Sequence, residues 1–437
     1  MLNKKIELQE KIKSLMIEWS DLKDSDYLGQ DKVQYSGPKF GPSEYAHMLD
    51  AIFDGWWSGG KYGLEAEDKL ARVSDRKHGL VCNSGSSANL LLMSAAKKLY
   101  FNDGDHILTL ACGFPTTLNP IIQNNLIPVF IDIDLYNLNA DSRRLELAIK
   151  ADKKIKGVFI PHTLGFCSDV QKIVDICRNN NVKIFFDCCD AYGSVYLDKP
   201  LSSYGDAATL SFYVAHHISC GEGGGIVTDN DELHATMRSF RNWGRYCSAP
   251  QCCIRSKNPN LFCPARKLTE NCLLPQDYHV NYQFEFVGYN LKMLELQAAI
   301  LSKQIDRLEE FNNIRKRNYW LLLHHLEDLL RHSSCVVWKL PDGVSPFAFP
   351  ILLPANNDRI RFVDHMTRNN IETRMLFAGN LTKHPAYRNS EFYKYREFFT
   401  SDVIMERFIM VGVSAINNDE KTMKIVSAIK SFFEENK

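Results

Sequence analysis

The 437-residue sequence has no excess of charge of either sign: 52 lysines and arginines stand against 52 aspartates and glutamates. That balance supplies no general field for drawing in nucleic acid or an anionic membrane, so an anionic ligand has to be held by a local site. No apolar run approaches the ~18–20 residues that span a bilayer. The N-terminus, MLNKKIELQEKIKSLMIEW, mixes acids into its basic stretch where a signal segment would have an apolar core. The expectation is a cytoplasmic protein. Gly and Pro are few, 24 and 16, and no repeat or low-complexity tract occurs, which excludes collagen-like and disordered classes. Although there are 13 cysteines, no C-x-x-C pair is found, which argues against zinc.

What is present is the composition of a soluble globular chain, long enough for two or three packed regions. Residues 2–20 space Ile6, Ile12, Leu15, Met16 and Trp19 as an amphipathic helix within an N-terminal segment, 1–45. From Gly79 to Thr228, short runs rich in Val, Ile and Phe alternate with helix-like stretches: HILTL (106–110), IPVFIDI (127–133), KGVFIP (156–161), VKIFFD (182–187), AATLSFY (207–213) and GGIVT (224–228). Such alternation predicts an α/β fold with a mainly parallel sheet covered on both faces. After Gly288 one long helical pattern runs to about residue 330, then a smaller α/β unit contains a strand at FAFPILL (347–353). The boundaries expected are a large unit, 46–300, and a small one, 301–437. Between about 245 and 285 lies an aperiodic loop holding Cys247, Cys252, Cys253, Cys263 and Cys272. Thiols crowded in a reducing compartment point to metal or redox chemistry.

Three segments carry chemistry. At 83–90, Asn-Ser-Gly-Ser-Ser-Ala-Asn-Leu opens a helix, where backbone N–H groups and hydroxyls converge on a phosphate, although a capped helix without a ligand reads the same. At 186–193, Phe-Asp-Cys-Cys-Asp-Ala-Tyr-Gly ends an apolar strand, and Asp187 there is either a plain loop aspartate or the partner of a cationic pyridine nitrogen. At 211–225 stands Ser-Phe-Tyr-Val-Ala-His-His-Ile-Ser-Cys-Gly-Glu-Gly-Gly-Gly.

The order SGSSAN, GFPTT, Asp-x-x-x-Ala-x-Gly, SFY-x-A, GEGG and GYNLKMLELQAA resembles the sugar aminotransferase and dehydratase family that uses pyridoxal phosphate, from about residue 50 to the C-terminus. The resemblance implies the fold type I, aspartate-aminotransferase-like architecture. Aminotransferase members of that family place a lysine where this chain has His216, and no lysine occurs here between Lys199 and Lys257. Histidine cannot anchor the cofactor covalently, but it moves a proton near neutral pH. The phrases AHHI-x-x-GEGG, R-x-WGR, GYNLK and LFAGNLT are similar to the CDP-6-deoxy-4-hexulose 3-dehydrase type of 3,6-dideoxyhexose and lipopolysaccharide biosynthesis.

That resemblance implies site roles. Ser86, the backbone near Gly85, and Ser211 would hold the cofactor phosphate; Asp187 would pair with the pyridine nitrogen; Phe114 would stack on the ring. Asn290 would reach the phosphate of a neighbouring subunit in a homodimer, and His216 would be the catalytic base. Phe114 as simple core, Asn290 as a turn residue and His217 as a packed neighbour are the plain alternatives. Arg374, in ETRMLFAGNLTKHP, is a candidate for substrate contact or for a surface salt bridge. The implied cofactor is pyridoxamine phosphate, bound without a covalent anchor, and the implied substrate a CDP-linked 4-keto-6-deoxyhexose that loses its C3 hydroxyl. Two outcomes follow within the resembled family: hydrolysis with amine recovery from glutamate, or reduction through a [2Fe-2S] cluster fed by a separate flavin- and iron–sulfur-containing reductase. Cys189 and Cys247 match the first two cluster ligands of the resembled enzymes. Ala249 and Lys257 occupy the third and fourth places, so Cys253 (or Cys252) and Cys263 would complete the set, with Cys272 in reserve. A cluster-free GDP-sugar 3-dehydratase and a non-catalytic sugar-nucleotide-binding or regulatory protein are the other readings.

Overall fold

The computed structural model describes residues 2–22, 32–246, 273–275, 278, 282–354 and 358–435. Strands β1 (His78–Cys82), β2 (His106–Leu110), β3 (Ile127–Ile131), β4 (Ile155–Pro161), β5 (Lys183–Asp187), β6 (Ala207–Ser211) and β7 (Gly224–Thr228) build the main sheet. A second, four-stranded antiparallel sheet contains β8 (Val336–Val337), β9 (Ala348–Leu352), β10 (Thr373–Arg374) and β12 (Phe408–Gly412), in the order β8-β9-β12-β10. The short strand β11 (Tyr393–Lys394) returns to the main sheet, whose order is β1-β7-β6-β5-β4-β2-β3-β11. All neighbours there pair in parallel except β7, which runs antiparallel to both β1 and β6.

Thirteen helices are described. α1 (Leu2–Leu22), α2 (Pro42–Asp54) and α3 (Lys61–Val73) precede the sheet; α4 (Gly85–Tyr100), α5 (Pro115–Gln123), α6 (Ser142–Ala151) and α7 (Val170–Asn179) connect its strands, and α8 (Asp231–Arg241) follows β7. α9 (Glu295–Asp306), α10 (Leu308–His332), α11 (Asp358–Arg368), α12 (Phe399–Arg407) and α13 (Asp419–Glu435) follow. Side chains alternate across the strands as the pleat requires. Leu80 and Cys82 face a core shared with α4 and α8, whereas Val81 faces one shared with α3, α7 and α9; Phe185 and Phe186 divide the same way. The apolar runs are continuous because both faces are buried.

The long helical pattern after Gly288 breaks at Arg307 and is continuous from there to His332. Arg307 adopts φ −103°, ψ 6°, and its guanidinium donates to Glu44 at 2.9 Å and to Glu310 at 2.9 and 3.1 Å, so polar contacts hold the turn between α9 and α10. Sequence periodicity continues through this point because the break is made by tertiary partners. No helix among the described residues is long and apolar enough to cross a membrane.

Candidate active site

A cavity of about 720 Å³ opens at the carboxyl ends of β2, β4, β5 and β6, where open parallel sheets bind ligands. At one end lies the first turn of α4. Ser84 caps it, its hydroxyl accepting from the Ser87 N–H at 3.1 Å, a contact worth about 1 kcal/mol. Ser84, Gly85 and Ser86 line the cavity, so N–H groups with no partner inside the helix and the positive end of its dipole meet the ligand space. Ser211, at the end of β6, completes this cradle.

Gly85 is required by close approach. A Cβ there would lie 2.6 Å from Cβ and 2.8 Å from Oγ of Ser211, and one on Gly224 would lie 2.1 Å from the Ser84 carbonyl oxygen. Gly85→Ala must therefore push α4 off Ser211. Overpacking of this kind costs about 1–3 kcal/mol, so pyridoxamine phosphate should bind roughly ten- to a hundredfold more weakly. Fluorescence titration of the folded variant measures this, and unchanged affinity would place the phosphate elsewhere.

Asp187 ends β5, only 6% exposed. One carboxylate oxygen accepts from Asn89 Nδ2 at 2.8 Å and Thr117 Oγ1 at 2.7 Å; the other accepts from the Cys189 N–H at 3.1 Å. Asn89 is itself oriented by Thr209, whose hydroxyl donates to it at 2.6 Å. Three donors fix the orientation of the carboxylate and leave acceptor capacity for a cationic ring nitrogen. Phe114 precedes α5, half-exposed on the cavity wall, with Phe377 edge-on at 5.9 Å and 89°.

His216 stands in the loop between β6 and β7, whose ends are joined where Phe212 N–H donates to the Gly223 carbonyl and Cys220 N–H to that of Phe212. Burial and the Arg315 charge push the His216 imidazole down to about 3, with the Cys189 carbonyl opposing. Nδ1 of His216 is 3.7 Å from Asp190 Oδ1. Burial and the Asp187 charge hold Asp190 well above the usual carboxylate range. Both shifts point the same way: the contact joins a neutral acid to a neutral imidazole and is not an ion pair.

Burial likewise pushes His162 down to about 3 and holds His217 well below the usual range, so all three are neutral in the fold. The unfolded chain takes up their protons from about pH 6.5 downward. Stability is unaffected above that pH and lost as pH falls toward the folded values, by at most about 1.36 kcal/mol per unit for each histidine. Asp190 acts in the opposite sense, as one group against three. Melting temperature should therefore drop between pH 7 and pH 4.5, and a flat profile would contradict this burial.

Arg374, on β10, lies at the cavity rim with 53% side-chain exposure, 3.4 Å from Glu372 and over the Tyr35 ring at 5.4 Å. The surface salt bridge is thus formed, by a side chain that also lines the cavity. Asn290 does not line this chain's own cavity: it is exposed and bonded by Lys292 at 2.6 Å. His217 is packed away from the cavity, its Nε2 3.1 Å from the Ser345 carbonyl.

Cys189 lines the cavity beside Asp187, and burial together with that carboxylate raises its thiol well above the usual range. Cys247, Cys252, Cys253, Cys263 and Cys272 lie outside the described residues. Among the described residues no group of three or more His, Cys, Asp or Glu side chains could hold a metal, so these residues alone do not make a cluster site. Pyridoxamine or pyridoxal phosphate does fit the cavity: a helix start open to an anion, the Asp187 carboxyl group oriented by its donors and an aromatic wall meet in one space. Asn89, Thr117 and Asp190 were not singled out from the sequence, although each stands inside a quoted motif. Arg315 carries no local signal.

A cavity with a phosphate-type helix start and a buried carboxylate at the strand ends defines a protein that binds a phosphorylated, nitrogen-bearing cofactor. The sequence profile of the DegT/DnrJ/EryC1/StrS aminotransferase family matches residues 39–430, and the chain belongs to that family. It is 36% identical over 418 residues to the lipopolysaccharide biosynthesis protein RfbH of Salmonella typhimurium LT2, covering 93% of this chain and 92% of that one. It is 33% identical over 413 residues to the dTDP-4-dehydro-2,6-dideoxy-D-glucose 3-dehydratase of Saccharopolyspora spinosa, covering 92% and 87%. Its fold matches the solved E. coli GDP-4-keto-6-deoxy-D-mannose-3-dehydratase with bound hydrated PLP at TM-score 0.79 and 22% identity, covering 93% of this chain and 99% of that one.

Proposed function

We propose that this enzyme removes the C3 hydroxyl of a nucleotide-linked 4-keto-6-deoxyhexose with pyridoxamine phosphate as cofactor. The observation that carries the reading is a partly buried imidazole, His216, 15% exposed and held toward its neutral form, in the wall of the cavity that Ser86, Ser211, Asp187 and Phe114 also line. Gly85, Ser86 and Ser211 would hold the phosphate, Asp187 the ring nitrogen and Phe114 the ring face. When bound, pyridoxamine phosphate supplies an amine that condenses with the C4 ketone and a ring that withdraws electrons from C4′. His216 takes the proton from C4′, its lone pair being free at neutral pH. Arg374 at the rim supports binding of the substrate's phosphates.

A homodimer with Asn290 reaching the partner's cavity is supported by an exposed apolar surface around that residue. Trp56 (59%), Trp57 (50%), Val287 (96%) and Leu294 (50%) lie on segments that adjoin through the Ser58–Leu294 and Asn242–Asn290 bridges. Patches of this kind mark interfaces.

The finer reading takes a CDP-sugar as substrate and a [2Fe-2S] cluster on Cys189, Cys247, Cys253 and Cys263, reduced by a separate flavin- and iron–sulfur-containing reductase; the spacing of Cys189 and Cys247 supports it, and Cys253 and Cys263 would stand in for the other two places. A cluster-free, glutamate-dependent GDP-sugar reaction is the second reading, favoured by Ala249 and Lys257 at the third and fourth ligand places. The test offers CDP-, dTDP- and GDP-linked 4-keto-6-deoxyhexoses to protein loaded with pyridoxamine phosphate, following near-ultraviolet absorbance and loss of the C3 hydroxyl. Response to one of them is expected; no spectral change with any would leave a binding protein. Iron and sulfide assays on anaerobically purified protein separate the two routes.

A further inference from the structure

Arg315 projects from α10 and is 1% exposed, yet among the described residues no carboxylate forms an ion pair with it. Burying a cation in this way is costly unless its hydrogen bonds serve the fold or the site. Its donors go to two carbonyls: Nη1 donates to Phe347 at 3.0 Å and Nη2 to His216 at 2.8 Å. The Phe347 ring lies 5.4 Å from the His216 ring and 5.9 Å from the guanidinium, so both prongs meet structures that touch the imidazole. We propose that Arg315 is the positioning residue of the active site, a fork that clamps the His216 loop to α10 and keeps a fixed positive charge behind the imidazole.

This inference rests on the reading of His216 as base. The fork geometry matters because a planar guanidinium holds two carbonyls at once, which a lysine ammonium on a flexible stem does not. The charge matters because a nearby cation favours the neutral imidazole, the form that accepts a proton. His216 faces Asp190 and the Cys189 carbonyl from the end of β5, His217 from its own loop and Arg315 from α10; Tyr35 and Arg374 stand farther across the cavity. Asp190 is itself held toward its neutral form, so Arg315 is the charge that dominates this surrounding.

Two variants separate fork from charge. Arg315→Gln keeps a donor and removes the charge; Arg315→Lys keeps the charge and removes the fork. The first readout, independent of turnover, is NMR titration of labelled His216 in the full chain. We expect Arg315→Gln to raise the imidazole's titration point by about one unit or more and Arg315→Lys to leave it low. In the loaded enzyme, both should lower kcat at least about tenfold with little change in KM or in bound-cofactor absorbance, as loss of an interaction that acts on the reacting step requires. A titration point and kcat unchanged in Arg315→Gln would overturn the proposal. So would a loss of activity that only tracks loss of folded protein in both variants. His216→Asn, run alongside, tests the underlying reading separately: full dehydration in that variant removes His216 as base, whereas the titration in Arg315→Gln still judges the clamp.

Discussion

His216→Asn should lower C3 dehydration by about two to four orders of magnitude, the usual contribution of a positioned general base, while leaving cofactor binding nearly intact. Asparagine cannot carry the C4′ proton, and no other neutral base stands in its place: Asp190 is held toward its protonated form, and His217 is turned to the Ser345 carbonyl. The phosphate and ring contacts of Ser86, Ser211 and Asp187 are untouched by the change, so near-ultraviolet absorbance should still show bound pyridoxamine phosphate. Single-turnover consumption of the sugar nucleotide, together with exchange of the C4′ proton with deuterated solvent, measures the effect. A dehydration rate within a few-fold of the parent would remove the mechanism.

Asp187→Asn should be nearly as severe but by a different route. The carboxylate accepts from Asn89, Thr117 and the Cys189 N–H, so an amide set there turns at least one donor toward another donor and leaves a pyridinium nitrogen without its anion. Removing one partner of a buried pair costs about 3–5 kcal/mol, which is a factor of roughly 10² to several times 10³. The loss should appear both in cofactor affinity and in the chemical step, since the ring withdraws electrons best when its nitrogen is protonated. Thr117→Val, which deletes only one of the three supporting donors, should fall between this variant and the parent. If Asp187→Asn binds and turns over like the parent, the ring nitrogen is not at Asp187.

The two substitutions differ in a way that makes them informative together. One removes a proton carrier and spares the cradle; the other damages the cradle and spares the carrier. Absorbance of bound cofactor therefore separates them even where both abolish product.

Much of this site was legible in the residues. The runs 106–110 and 224–228 became strands with those bounds, because a strand buried on both faces needs an unbroken apolar run whatever lies around it. His78–Cys82, shorter in apolar content and flanked by Arg76 and Lys77, did not announce itself as a strand; it forms through pairing with β7. Ser86, Phe114, Asp187, Ser211, His216 and Arg374 line one cavity as their motifs suggested, since helix starts and strand ends are local features of sequence. Asn290 stands apart from that cavity, and its role depends on a second copy of the chain.

Sequence alone determined the alternation of strands and helices, the order of the motifs and the imidazole of His216 within them, all properties of residues close together along the chain. Tertiary structure decided the break at Arg307, the donors that hold Asp187, the neutral pairing of His216 with Asp190 and the placement of Arg315 behind it. These depend on burial and on contacts between residues as many as 263 positions apart, as for Arg307 and Glu44, and neither dielectric surroundings nor long-range distance is written in local pattern.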